Sequence, residues 1–227
     1  MDRRNFKALK ESLSQLPVIL QKDEFLNTAV LIPLIYQNDE FHFLFEKRSQ
    51  NIRQGGEICF PGGEHNERDD SNFEKTAIRE TIEELGINEN EIEIIGKLGI
   101  LFGGSGAIIH SFIGELKSND LNSYNIDKTE VEKIFTIPVS FFQNNPPEVY
   151  HVRLESHPYY FNENGEKIIL LPVDELKLPA RYSNPWGIRK RKVLVYKTGK
   201  DIVWGMTANL VHEFVNKLNL YNEKDKN

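Results

Sequence analysis

Two absences narrow the class of protein at once: the sequence is almost free of cysteine and has no long apolar run. Cys59 is the single cysteine among 227 residues, so no intramolecular disulfide can form. No apolar stretch approaches the roughly 18 residues that a membrane helix needs. Residues 1–20 mix charged with apolar side chains, unlike a signal peptide. These features predict a cytoplasmic protein with no membrane partner.

An excess of positive charge is missing as well. Lys and Arg number 28 against 34 Asp and Glu, the formal net charge is -6, and the two signs are interspersed. Such a surface does not attract polyanions, which argues against a nucleic-acid partner. A small anionic substrate would need its charge offset locally, by metal ions or by a few placed cations.

Apolar and aromatic side chains, in contrast, are plentiful enough for the core of one folded domain. Hydrophobic residues make up 39% of the chain, with 14 Phe, 8 Tyr and 2 Trp. Residues 27–36 and 41–46 have the composition of strands, and a helical pattern follows at 72–85. This mixture predicts an α/β (α+β) domain over 23–227.

Residues 1–22 lie ahead of this domain and predict a short amphipathic helix. Its apolar positions recur at spacings of three and four, and Pro17 ends the pattern. These positions are Phe6, Leu9, Leu13 and Leu16. Such a helix could dock on the domain or pair with a second copy of the chain, so a homodimer is one of two alternatives.

The C-terminal part predicts strand hairpins followed by a helix. Strand-like segments alternate with turns through 148–204, and 205–220 has a helical pattern. Residues 173–192 are rich in proline and charge, and they predict an inserted loop. The basic run at 189–192 is then interpreted as part of a solvated loop.

The helix at 72–85 carries an unusual concentration of negative charge. Glu80, Glu83 and Glu84 share an arc of roughly 100° beside the apolar face, where their carboxylates repel one another. One interpretation is a solvated acidic face that Arg79 partly neutralises. The other is a site for Mg²⁺ or Mn²⁺, which prefer oxygen ligands and bring substrate phosphates with them.

The residues around this helix favour the second interpretation. A Pro61-Gly62-Gly63 turn precedes the helix, and Gly86 stands where a left-handed C-terminal cap is expected. Ser71 followed by Glu74 fits a capping box at the other end. The helix therefore has defined ends and a turn that could approach a ligand closely.

Residues 79–87 resemble the second half of the Nudix box, R-E-U-x-E-E-x-G-U, in which U is a bulky aliphatic residue. Thr81 is smaller than the pattern asks. The first half of the box departs from the pattern, because its glycine and glutamate positions fall on His65 and Ser71. The role of that glutamate then passes to Asp69, Asp70 or Glu74, or to no residue.

An upstream segment resembles the extra signature of Nudix enzymes that act on coenzyme A. It reads Leu44-Phe45-Glu46-Lys47-Arg48-Ser49, then Arg53, Gly56 and Phe60-Pro61-Gly62-Gly63. Glu46 takes the place of a threonine, and the gap from Arg53 to Gly56 is one residue short. The chain is thus identified as a member of the Nudix hydrolase family, similar to its coenzyme A pyrophosphatases.

This resemblance implies a Nudix-type α/β/α sandwich with a mixed β-sheet, extended by the N-terminal helix and a C-terminal hairpin. It also implies hydrolysis of the pyrophosphate bond of coenzyme A or a derivative, with Mg²⁺ or Mn²⁺ as the cofactor. The products would be 3',5'-ADP and 4'-phosphopantetheine or its acyl form. The partner would be a small nucleotide and not a nucleic acid.

The same resemblance assigns roles to particular residues. Glu80, Glu84 and Glu83 would bind the metal, with Glu83 and Glu84 also counted as catalytic. Arg79 would hold these carboxylates in place, and Glu130 or Glu132 is the candidate general base. Substrate-binding residues would be Arg48, Arg53, Gly62 and Gly63, with the basic run at 189–192 as an alternative contact for the 3'-phosphate or the diphosphate. Cys59 is interpreted as a buried strand residue, because no partner histidine stands nearby.

Two other functions remain open at this point. The same chemistry could act on ADP-ribose or another nucleoside diphosphate derivative. A Nudix-fold module could also sense a nucleotide without cleaving it. Such modules typically lose box carboxylates, whereas Glu80, Glu83 and Glu84 are all present.

Overall fold

The computed structural model describes residues 2–12, 19–66, 69, 72–104 and 106–224. The helices in this part of the chain are α1 (Arg3–Ser12), α2 (Phe73–Leu85), α3 (Val139–Asn144) and α4 (Gly205–Lys224). The strands are β1 (Leu26–Gln37), β2 (Glu40–Arg48), β3 (Ile58–Cys59), β4 (Gly62–Glu64), β5 (Ile92–Phe102), β6 (Ala107–Leu116), β7 (Val131–Pro138), β8 (Glu148–Ser156), β9 (Tyr159–Phe161), β10 (Lys167–Ile169), β11 (Trp186–Lys197) and β12 (Ile202–Trp204).

The first seven strands form one mixed sheet, in the order β3-β2-β1-β6-β5, with β4 paired to β1 and β7 paired to β2. β1 runs antiparallel to β2 and β4 but parallel to β6. The turn from β1 to β2 places Asn38 and Asp39 at positive φ, 53° and 64°, as a tight two-residue hairpin connection requires. The strands predicted at 27–36 and 41–46 are confirmed.

β1 separates two apolar cores, because successive side chains of a strand point to opposite faces of the sheet. Ile32 and Leu34 belong to a buried cluster that includes residues of α3 and α4. Leu31 and Ile35 belong to a second cluster that includes residues of α2. Helices therefore cover both faces of the sheet, which confirms the predicted α/β/α sandwich.

α2 is the predicted acidic helix, and side chains suited to helix ends define where it starts and stops. Gly86 closes it in the left-handed conformation, with φ of 63°, as predicted. The predicted capping box is wrong, because Asn72 is the N-cap residue. Its side-chain oxygen accepts hydrogen bonds from the backbone N–H groups of Glu74 and Lys75. Ser71 lies outside the described residues.

The C-terminal strands form a second sheet in the order β12-β11-β8, and β9 pairs with β10. The loop predicted over 173–192 is wrong at its C-terminal end, because residues 186–192 belong to β11. β11 pairs with β8 from Trp186 opposite Ser156 to Val195 opposite Glu148. This pairing with a distant strand outweighs the charged composition of the segment.

α1 covers the first part of the predicted N-terminal helix, and its Phe6 is 57% exposed. Leu9 of that pattern also lies in α1, whereas Leu13, Leu16 and Pro17 lie outside the described residues. Pairing of two copies through this helix stays a prediction, as does the cytoplasmic location. In the described part of the chain, no helix has the length and apolar character to cross a membrane.

A stacked aromatic pair joins the start of α2 to the sheet. His110 on β6 and Phe73 at the first turn of α2 lie parallel, with ring centroids 3.5 Å apart. Burial, with smaller contributions from the nearby Lys97 and His65, lowers the pKa of His110 to about 4. The imidazole is therefore neutral in the folded protein at pH values where an exposed histidine is protonated.

Acid should therefore destabilise the fold through His110. Its folded pKa is lowered, so its contribution is present above the unfolded value of 6.5 and is lost as the pH falls toward 4. His110→Phe keeps the stacked ring and removes the titration. Chemical denaturation between pH 7 and pH 4 should show the wild-type free energy of unfolding falling more steeply, by up to about 1.4 kcal/mol per pH unit. Identical pH profiles for the two proteins would contradict this account.

Candidate metal and substrate site

The acidic helix lies directly against the turn that precedes it. Gly62 donates its backbone N–H to Glu84 Oε2 at 2.9 Å, so the turn holds one predicted metal ligand by its carboxylate. A Cβ atom at Gly63 would overlap the Glu80 carboxyl group. Glu80 can occupy its position because residue 63 has no side chain. The structure thus brings together four predicted site residues from two separate elements.

Arg79 connects the acidic residues of α2 to the segment before the helix. Its Nη1 donates to Glu80 Oε1 at 2.7 Å and to Glu83 Oε2 at 3.2 Å. Its Nε and Nη2 donate to the two carboxylate oxygens of Asp69 at 3.0 and 3.1 Å, the two-point geometry that guanidinium and carboxylate favour. The positive charge of Arg79 therefore offsets the negative charges of Asp69, Glu80 and Glu83.

Asp69 is the one candidate for the absent box glutamate that contacts Arg79 among the described residues. It is 3% exposed, and Thr76 Oγ1 donates to its Oδ2 at 2.8 Å. The hydrogen bonds from Arg79, more than those from Thr76, lower the pKa of Asp69 to about 2. Asp70 lies outside the described residues, and Glu74 is in the first turn of α2.

A further carboxylate lies beside this group, and sequence reasoning missed it. Glu46 near the end of β2 is 0% exposed. Cys59 Sγ donates to its Oε1 at 3.2 Å, while Oε2 is buried without a hydrogen-bond partner among the described residues. Glu46 directly follows a run of apolar strand residues, and this position in the sequence could have indicated a buried carboxyl group. Cys59 lies in β3, as predicted, but it is half-buried.

These carboxylates create a region of strongly negative potential. Burial raises the pKa of Glu84, and the nearby Glu46 and Glu80 carboxyls raise it further. Burial also raises the pKa of Glu46 and that of Glu80, and Glu130 adds a smaller repulsion to both. Acids that raise one another's pKa values in this way favour a cation between them.

A divalent cation fits this donor set in its chemistry. The ligands on offer are carboxylate oxygens, which Mg²⁺ and Mn²⁺ prefer, and the unpartnered Glu46 Oε2 is one of them. No three His, Cys, Asp or Glu side chains of the described residues already surround one metal position. In this arrangement Arg79 binds Glu80 and Glu83, while Gly62 binds Glu84.

The two candidate general bases, Glu130 and Glu132, lie in different surroundings. Glu130 is exposed and close enough to the acidic group to raise the pKa of Glu46 and Glu80. Glu132 pairs with Lys47 Nζ at 2.7 Å. The hydrogen bonds from Lys47 and Gln50 lower the pKa of Glu132. Of the two, the structure brings Glu130 to the acidic group.

A cleft of about 370 Å³ opens beside the Gly62-Gly63 turn. Arg48 lines this cleft together with the two glycines, and their role in substrate binding stays a prediction. Arg53 is exposed and is not among the described residues that line it. Its carbonyl oxygen accepts a hydrogen bond from Arg48 Nε at 3.2 Å. Arg53 therefore positions Arg48 through its backbone.

The opposite wall of the cleft comes from the second sheet and the start of α4. Its residues include Val152, Leu154, Arg191, Lys192, Val193, Trp204 and Met206. The interpretation of the basic run as a loop is therefore wrong, because residues 189–192 lie in β11, and Arg191 and Lys192 of this run line the cleft. Nothing in the local sequence distinguishes these two from their neighbours, since the pairing of β11 with β8 decides their place.

Replacing Asp69 by Asn should lower the free energy of unfolding by about 2 kcal/mol, because Arg79 loses a charged, two-point partner. Chemical denaturation measures the change. Glu83→Gln is the matched control, since Glu83 also binds Arg79 but its side chain is 60% exposed. It should cost less than about 1 kcal/mol. Equal losses in the two variants would contradict the importance of the buried pair.

Comparison with known proteins matches residues 26–160 to the NUDIX domain family. The chain is 32% identical over 124 residues to peroxisomal coenzyme A diphosphatase NUDT7 of Mus musculus, covering 54% of this chain and 50% of the relative. It is 36% identical over 133 residues to peroxisomal coenzyme A diphosphatase ndx-8 of Caenorhabditis elegans, covering 57% and 55%. The chain thus spans about half the length of each of these two relatives.

A third relative extends the similarity over the C-terminal part of the chain. Nudix hydrolase 3 of Caenorhabditis elegans is 26% identical over 218 residues, which is 92% of this chain and 82% of the relative. The family match over residues 26–160 covers more than half of the chain and includes the acidic helix, the Gly62-Gly63 turn and Glu46. On that match, the chain belongs to the NUDIX domain family.

Proposed function

We propose that this protein is a metal-dependent pyrophosphatase that hydrolyses coenzyme A or its derivatives. In this reaction a water oxygen forms a bond to one phosphorus of the diphosphate, and the bridging P–O bond to that phosphorus breaks. The two protons of the water are shared between the products and the solvent. One diphosphate and one water thus become two phosphate monoesters, 3',5'-ADP and 4'-phosphopantetheine or its acyl form.

The observation that carries this proposal is the contact between two motifs beside one cleft. Arg48, Phe60 and the Gly62-Gly63 turn belong to the coenzyme A-type segment, and they line the cleft. The Gly62-Gly63 turn also contacts Glu80 and Glu84 of the Nudix-box helix. Two relatives that are named coenzyme A diphosphatases support this substrate over other nucleoside diphosphates.

The residues that would hold Mg²⁺ or Mn²⁺ are Glu80, Glu83 and Glu84, with Glu46 added. These carboxylates would hold a cation that, when bound, would neutralise charge on the transferring phosphoryl group and lower the pKa of a water. Arg79 keeps Glu80 and Glu83 on one side of α2 through its two hydrogen bonds. Gly62 does the same for Glu84.

Arg48 and Glu130 take the remaining roles in this proposal. One N–H of Arg48 is held by the Arg53 carbonyl, and its other donors suit the oxygens of the diphosphate. Glu130 is exposed to solvent beside the acidic group. A carboxylate in that position can accept a proton from the attacking water.

Mass analysis of reaction products tests the proposed substrate. Incubation of the protein with coenzyme A and either Mg²⁺ or Mn²⁺ should release 3',5'-ADP and 4'-phosphopantetheine. ADP-ribose provides the comparison. Cleavage of ADP-ribose with coenzyme A left intact would establish the alternative pyrophosphatase instead. Nucleotide binding without cleavage of either compound would establish a non-catalytic module.

Glu84→Gln should lower turnover on the order of a hundredfold or more, since it removes a carboxylate that is proposed to bind the metal ion. Glutamine keeps an oxygen that can accept the hydrogen bond from Gly62, so the thermal unfolding midpoint should change little. Initial rates and thermal scans measure the two effects. Turnover retained by this variant would refute the role assigned to Glu84.

Gly63→Ala should impair activity more than stability. The added Cβ displaces the Glu80 carboxylate, and a shift of about 1 Å at a reacting centre can reduce kcat/KM on the order of a hundredfold. Gly96→Ala is the matched control, because a Cβ at Gly96 meets nothing within 4 Å. Similar kcat/KM values for the two variants would show that the Gly63 contact does not govern the site.

A further inference from the structure

Arg191 is held at the rim of the cleft by the turn between β5 and β6. Its Nη2 donates to the carbonyl oxygen of Phe102 at 3.1 Å. The guanidinium also packs on Gly104 so closely that a Cβ atom there would overlap it. A long, flexible side chain that lines the cleft is thus anchored at one place, and it keeps further N–H donors beyond the one that binds Phe102.

The positive charge of Arg191 is not balanced by the protein, in contrast to that of Arg48. Burial raises the pKa values of Glu46, Glu57 and Glu84, and the positive charge of Arg48 opposes this rise at all three carboxyl groups. No ion pair joins Arg191 to a carboxylate within the described ranges, where its anchor is a neutral carbonyl. Lys192 adds a second positive charge to the same wall. An anionic ligand group is therefore favoured at this end of the cleft.

Arg48 and the carbonyl that anchors Arg191 lie at the same end of the main sheet but on different strands. Arg48 ends β2, and the Arg191 guanidinium rests on Phe102, which ends β5. β1 and β6 lie between these strands. At ~4.8 Å per strand spacing, the two strand ends are on the order of 14 Å apart. One diphosphate at the acidic group does not fill both positions.

We propose that Arg191 binds a phosphate monoester on the nucleotide half of the substrate, separate from the diphosphate that is cleaved. The proposal rests on the proposed function for the place of the diphosphate at Arg48 and the acidic helix. Coenzyme A carries such a group on its ribose, and ADP-ribose does not. Guanidinium is suited to the planar array of phosphate oxygens. Arg191 therefore sets the selectivity of the cleft for a nucleotide with an additional phosphate.

Calorimetric binding of 3',5'-ADP and of 5'-AMP tests this assignment without any turnover. The wild-type protein should bind 3',5'-ADP more tightly by about ten- to a hundredfold, as expected for charge-assisted hydrogen bonds. Arg191→Gln should lose this preference while its affinity for 5'-AMP stays unchanged, which also shows that the variant is folded. Arg189→Gln is the matched control, since Arg189 is exposed on the same strand and does not line the cleft. It should keep the preference.

A preference for 3',5'-ADP that survives in Arg191→Gln, or that is absent from the wild type, would overturn the assignment. Hydrolysis separates this failure from that of the proposed function. If coenzyme A is cleaved and Arg191→Gln leaves the ratio of kcat/KM for coenzyme A over 3'-dephospho-coenzyme A unchanged, Arg191 has no such role although the function stands. If the wild type cleaves neither compound, the proposed function fails, and the binding preferences still decide the role of Arg191.

Discussion

The contact between α2 and the Gly62-Gly63 turn is the constraint on which the rest of the site depends. The turn opens β4, and β4 is paired with β1 at the centre of the sheet. Glu84 accepts a hydrogen bond from this turn, and Glu80 lies where a side chain on residue 63 would otherwise be. The acidic helix is thereby fixed relative to the sheet. Glu46 and Arg48 of β2 then lie close to the carboxyl groups of this helix, where both influence Glu84.

Most of the fold that can be predicted from the sequence follows from patterns within single strands and helices. Alternation of apolar residues places β1 between two cores, and it does so because each face of the strand meets a different helix layer. Gly86 ends α2, and this end can be predicted from the sequence because glycine adopts the left-handed conformation readily. The same holds for the acidic group: the spacing of Glu80, Glu83 and Glu84 alone indicates mutual repulsion.

Contacts between distant segments account for what the sequence does not predict. Residues 186–192 have the composition of a loop, yet they form a strand because β8 supplies partners from thirty or more positions earlier along the chain. Glu46 is buried beside Cys59 of another strand, and Asp69 reaches Arg79 across the start of α2. Composition and periodicity describe single elements, so they carry no information on such encounters.

The two walls of the cleft belong to two different sheets, and they are encoded by separate stretches of the chain. The acidic helix and its turn lie within residues 62–85, whereas Arg191 lies on β11 of the second sheet. Under the role proposed for Arg191, substitutions in β11 would alter nucleotide selectivity without disturbing the carboxylates. Proteins that share this acidic helix could then differ in substrate through residues of the second wall alone.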